Sequence, residues 1–158
     1  MKIEPRIALS LACAILCCYA CRDFDATAPR GFAAYEDSAA SQRFRAVSSD
    51  GVMFTVRSER HKPQAELSFW HEALKSRMLA AGYALVGEQE IEASGTSGQL
   101  LELAAPLGAL DYSYLVALFV TQRRIYIAEA AGEVTRLNAH KSAILDAIRA
   151  IEPRRRKL

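Results

Sequence analysis

All four cysteines of the chain fall in one short stretch, LSLACAILCCYACRD, at Cys13, Cys17, Cys18 and Cys21. Cysteine thiolates bind metals and exchange disulfides, and Cys18-x-x-Cys21 has the spacing of a metal or redox pair. A structural zinc site needs four ligands. No second cysteine pair follows and no histidine lies near, so the pair lacks the partners that chemistry would require. Elsewhere the three histidines, His61, His71 and His140, sit in separate elements without metal-binding spacing. Gly95-Thr96-Ser97-Gly98 is a glycine-flanked Ser/Thr pair, but it lacks the Gly-x-Ser-x-Gly elbow and the lysine of a phosphate loop. It reads as a flexible hairpin loop. Glu88, Glu90 and Glu92 alternate along one predicted strand, so they share a face, repel one another and call for a solvated surface. These patterns imply no catalytic set, no metal and no cofactor.

The cations are more informative. Arg123-Arg124 falls at a predicted hairpin tip, and Pro153 is followed by Arg154, Arg155, Arg156 and Lys157. These six are the candidate contacts for an anion or an acidic partner. The formal net charge is +2. Setting aside residues 1–20, which carry a net +1, and the four tail cations leaves about −3 for the body. A nucleic-acid binder shows a basic body with interleaved aromatics, so nucleic acid is not an expected partner. Tyr112, Tyr114 and Tyr126 lie on adjacent predicted strands, where tyrosine suits either an interface or the space under a helix.

The N-terminus explains the cysteines. Lys2 and Arg6 precede a run of about 14 uncharged residues, from Ile7 to Ala20, too short to cross a bilayer of about 30 Å as a helix. It has the length of a signal-peptide core. Ala20 then precedes Cys21, and Arg22-Asp23 ends the run. This resembles the bacterial lipoprotein signal, in which a small residue stands before the cysteine that becomes the first residue of the mature chain. The resemblance implies a thioether-linked diacylglycerol on Cys21 and acylation of its new amino group. Two or more acyl chains anchor stably where one does not. Cys18 and Tyr19 depart from the usual residues before the lipidated cysteine. A cleaved secretory signal and an uncleaved anchor are the other readings of the segment.

The elements that would position the remaining residues follow from periodicity. Residues 22–43 show no sustained period and read as a flexible tether. RFRAVSSDGVMFTVRSE alternates around Ser49-Asp50-Gly51, which predicts a hairpin with Phe44, Ala46, Val52, Phe54 and Val56 inward. Leu67, Trp70, Leu74, Met78 and Ala81 recur at helical spacing and predict a helix over residues 64–81 that stops at Gly82. Four strand-like runs follow, at 83–92, 98–106, 111–121 and 123–132. The third, DYSYLVALFVT, is apolar on both faces, as a central strand covered on both sides should be. Asn138 is the predicted N-cap of a closing helix with Ile144, Ala147, Ile148 and Ile151 on its buried stripe. The fold class is therefore α+β, a mostly antiparallel sheet with two helices in the order β-β-α-β-β-β-β-α. The domain plan is a signal peptide over 1–20, a tether over 21–43, the α+β domain over 44–152 and a basic tail over 153–158.

This order, with Trp70 and Gly82-Tyr83 around the first helix and the closing unit IYIAEAAGEVTRLNAHKSAILDAIRAI, resembles the PsbP-like domain, including the bacterial DcrB-type lipoproteins. The likeness lies in element order and in the last strand and helix, not in a catalytic motif. It implies an accessory or assembly role and offers no active-site residues to carry over. The expectation is an exported protein, lipid-anchored in the cell envelope facing the periplasm, with a protein partner there. The alternative of another class is a small periplasmic hydrolase-like enzyme built from scattered residues near Trp70.

Overall fold

The computed structural model describes residues 23–35, 42–107 and 110–154. Nine strands and two helices are described: β1 (Phe24–Asp25), β2 (Phe32–Tyr35), β3 (Arg43–Ser48), β4 (Met53–Arg60), α1 (Leu67–Ala80), β5 (Ala84–Ala93), β6 (Thr96–Leu107), β7 (Leu110–Val120), β8 (Arg124–Glu133), α2 (Val134–Arg149) and β9 (Glu152–Pro153). Seven strands form one antiparallel sheet in the order β2-β3-β4-β8-β7-β6-β5, and β1 pairs with β9 in a separate two-stranded ribbon. The α+β class and the order of the main elements are as the sequence predicts.

Alternation decides which residues face which helix. On one face of the sheet Phe54, Val56, Leu100, Leu115, Phe119 and Ala128 pack against Leu137, Ile144 and Ile148 of α2, all buried. Alanines 117, 128 and 130 on the central strands leave room for the helix. The other face carries Leu101, Leu103, Val116, Leu118, Ile125 and Ile127, covered by Leu67, Trp70, Leu74 and Met78 of α1. β7 is therefore apolar on both sides because a helix lies over each.

Local chemistry sets the turns. Gly51 has φ 91°, and Ser48 Oγ accepts from the Val52 N–H at 2.8 Å, closing the β3–β4 hairpin at the predicted Asp-Gly. The β5–β6 loop is tighter than expected. Ser94 and Gly95 both take positive φ, while Thr96, Ser97 and Gly98 belong to β6. Gly98 lies opposite Phe119, and a Cβ there would come within 2.4 Å of that ring.

Three boundaries differ from the sequence reading. First, the segment read as a tether enters the fold at Asp23. Phe24 is 1% exposed and meets Tyr126 edge to face at 6.2 Å, and β2 extends the sheet beyond β3. A lone aromatic in an aperiodic segment gives no period to read, yet it finds a hydrophobic slot between distant elements. Second, α2 begins at Val134 and not after Asn138. β8 runs straight into the helix, and the Glu133 carboxylate caps it by accepting from the Thr135 and Arg136 N–H groups at 2.9 and 3.2 Å. Third, the basic tail starts later than residue 153. Glu152 and Pro153 pair with Asp25 and Phe24, and Arg154 binds Asp25. Helix α1 is shorter than the predicted 64–81, leaving Ala81 exposed at its C-terminal end.

Candidate functional site: an arginine-lined groove

The β7–β8 turn, the β5–β6 turn and the β1–β9 ribbon meet at one end of the molecule. Between them lies an open groove of about 760 Å³ lined by Asp23, Thr121, Arg123, Arg124, Tyr126 and Arg154, among others. Three of the six cations singled out in the sequence thus come together: Arg123, Arg124 and Arg154. Arg155, Arg156 and Lys157, like Cys21, lie outside the described residues.

Asp23 organises the groove. Its N–H donates to the Gln42 side-chain oxygen at 3.0 Å, and its carbonyl accepts from the Arg154 N–H at 2.8 Å and from the Tyr126 hydroxyl at 3.3 Å. Its carboxylate pairs with the Arg124 guanidinium. Burial and then the Asp23 charge push the Tyr126 hydroxyl above its ordinary range, which keeps it a hydrogen-bond donor. Arg154 grips Asp25, with Nε to Oδ2 at 2.7 Å and a second contact from Nη2 to Oδ1. Such forked pairs add direction as well as attraction.

A second, shallower groove of about 370 Å³ adjoins the first across Gln122, Arg123 and Arg124, and adds Arg60, His61, Lys62 and Gln64. His61 is its support. The Trp70 indole N–H, which can only donate, points to His61 Nε2 at 3.2 Å, and the Ala65 N–H donates to the same nitrogen at 3.0 Å. The Ala65 carbonyl lies at 3.0 Å from the same nitrogen, and Nδ1 faces the Thr121 carbonyl, which can only accept, at 2.7 Å. The His61 N–H donates to the Arg123 carbonyl at 3.1 Å, and the Thr121 N–H donates to the Arg124 carbonyl at 2.9 Å. The arginine turn is thus held by a buried histidine on one side and by its own backbone on the other.

The other sequence candidates lie apart. His71 is flanked by Glu72 at 3.6 Å and Glu88 at 3.5 Å, and Lys75 bridges the same two carboxylates, so Glu88 is paired and not merely solvated. His140, in the second turn of α2, meets the Asp50 carboxylate at 3.1 Å. The Ser48 hydroxyl and then His140 hold that carboxylate below its usual range. Tyr114 is half-buried on the α1 side and donates to Glu129 at 2.7 Å, while Arg57 donates to the other oxygen of Glu129 at 3.2 Å. Burial and then the Glu129 charge push the Tyr114 hydroxyl far above its ordinary value. Tyr112 is half-exposed and Tyr126 is core. Among the described residues no group of three His, Cys, Asp or Glu side chains could hold a metal ion, and no helix is long and apolar enough to cross a membrane.

Sequence reasoning missed Asp23, Arg60, His61 and Lys62. Arg60 stands directly opposite Arg124 only because β4 pairs with β8, and no local pattern announces that pairing. Asp23 meets Tyr126 across 103 residues.

No family model and no curated protein matches the chain. Solved structures do. LpqN, involved in cell envelope biogenesis of Mycobacterium tuberculosis, superposes with a TM-score of 0.66 at 11% identity, covering 82% of this chain and 83% of its own. The cyanobacterial PsbP of Synechocystis gives 0.60 at 11% identity, over 84% and 87% of the two chains. A Pseudomonas aeruginosa protein of unknown function gives 0.62 at 15% identity, over 79% and 99%. At these identities the likeness is one of fold. The chain has a PsbP-like fold, as its element order led us to expect.

Proposed function

We propose that this chain is an exported accessory protein of the cell envelope, anchored by acyl chains on Cys21 and facing the periplasm, which binds and helps assemble other components and does not catalyse a reaction. One observation carries the reading. Asp23, two residues after Cys21 in the sequence, is held against Arg124 and Arg154, so an anchor on Cys21 would be only two residues of chain from the arginine groove. An anchor there would hold a cationic end of a folded domain against a membrane. The role of LpqN in envelope biogenesis supports the same setting. Arg155, Arg156 and Lys157 follow Arg154 in the sequence and would add to the same cationic end. Exposed apolar side chains, Phe69 and Leu79 on α1 and Leu85 and Val86 on β5, suit an envelope protein partner.

The test is the intact mass of the protein from the membrane fraction, with Cys21→Ala as control. The expected result is a chain that begins at Cys21 and carries diacylglycerol and acyl mass, which the alanine variant lacks. A wild-type chain without that mass, or an alanine variant that retains it, would refute the anchor.

A further inference from the structure

The end of the molecule beside Asp23 holds more positive charge than it neutralises. Arg60 and Arg124 are directly opposed across β4 and β8, where like charges repel. Arg124 is compensated by Asp23. Arg60, Lys62 and Arg123 are exposed, and among the described residues no carboxylate pairs with any of them. Of the acids nearby, Asp25 binds Arg154 and Glu59 binds Arg57, while Glu152 shares the larger groove with Arg123 without pairing with it. A fold does not gain from three uncompensated cations on one small surface. A binding surface for anions does.

The three are also held in place. Arg123 sits in a turn fixed by His61 and Thr121, and Gln64 ties the Lys62 loop to that turn by donating to the Gln122 carbonyl at 2.8 Å. Pre-ordering the backbone lowers the entropy lost on binding.

We propose that Arg60, Lys62 and Arg123 dock this end of the domain onto the phosphate head groups of an anionic phospholipid surface. The proposal deepens the reading of Cys21 as the lipid site. Two residues of chain span at most about 7 Å, so an anchor at Cys21 keeps Asp23 and the adjoining cations close to the bilayer. That span is comparable with the Debye length of about 8 Å at physiological ionic strength, within which exposed charges act. The domain therefore rests on the membrane with a fixed orientation, arginine turn inward.

The experiment uses residues 21–158 with Cys21→Ser, which keeps every strand and helix described above; a cooperative melt confirms folding. The chain is mixed at low salt with vesicles of phosphatidylcholine and phosphatidylglycerol at three to one, or of phosphatidylcholine alone, and pelleted. Binding to the anionic vesicles only is expected. Arg60→Gln with Arg123→Gln should weaken it by about 25-fold, at roughly a fivefold loss per cation. Arg77→Gln with Arg136→Gln removes the same charge from the two helices, Arg136 lying beside Asp50 of the β3–β4 hairpin, and should weaken it far less. Equal losses from the two pairs, or equal binding to neutral vesicles, would overturn the proposal. So would the absence of vesicle binding by a chain whose Arg60, Lys62 and Arg123 amides shift with inorganic phosphate; the ligand would then be a soluble phosphate. No acyl chain takes part, so failure here leaves acylation at Cys21 to be judged by mass. An unacylated Cys21 with intact vesicle binding would fault the anchor alone.

Discussion

The two faces of the sheet are built to different standards. Under α2, Leu137, Ile144 and Ile148 are completely buried. Helix α1 buries no residue fully, and its apolar stripe of Leu67, Trp70, Leu74 and Met78 is only partly covered. The reason is extent. The α2 side gathers buried residues from every strand from β3 to β8, whereas the α1 side gathers them from β6, β7 and β8 alone. Where α1 does not reach, the same face carries polar groups, among them Thr55, Arg57 and Glu129 with its bonds from Arg57 and Tyr114. One face thus supplies most of the stability. The other can leave Phe69 and Leu79 exposed without loosening the core.

The contrast can be broken most directly by truncation. Ile148→Ala should cost about 2–5 kcal/mol, as full burial dictates. Leu74→Ala, half-covered, should cost about half as much or less. Chemical denaturation of both variants checks the ratio; equal costs would mean that α1 is as much a part of the core as α2. Next in size is Gly98→Ala. The added methyl group meets the Phe119 ring at 2.4 Å and the Leu118 carbonyl at 2.6 Å, so the α2 face must shift, at about 1–3 kcal/mol. A loss well under 1 kcal/mol would show that packing there is looser than it looks. The smallest effect is one of pH. The Thr135 and then the Arg136 N–H groups hold the Glu133 carboxyl below its usual range at the start of α2. A carboxyl depressed in the folded state stabilises above its ordinary value and loses that contribution as pH falls through the folded one. The melting temperature of Glu133→Gln should therefore lie below wild type at pH 7 and converge with it as pH falls from about 5 to about 3. A gap that does not narrow would mean the carboxylate charge is not what caps α2.

How much was legible depended on the range of the interaction. The hairpin at Ser49-Asp50-Gly51, the stripe of α1 and the two-sided β7 all express a period or a turn within a few residues, and each appears where the sequence places it. The start of α2 was misplaced because Asn138 is a good cap by type, but Glu133 reached the free N–H groups first, once β8 ran directly into the helix. The histidines were legible as residues without metal spacing and not as supports: nothing around His61 announces that its two nitrogens join Thr121 to Trp70.

The sequence by itself determined the class of fold, the order of its main elements and the apolar faces of its strands and helices, because these are short-range consequences of side-chain period and backbone preference. Only the tertiary structure decided that residues 23–35 are part of the fold, and that Arg60, Arg123, Arg124 and Arg154 share one end of it. Those facts rest on strand register and on contacts such as that of Asp25 with Arg154, 129 residues apart. Pairing at that distance is chosen by the packing of the whole sheet, to which no local pattern gives access.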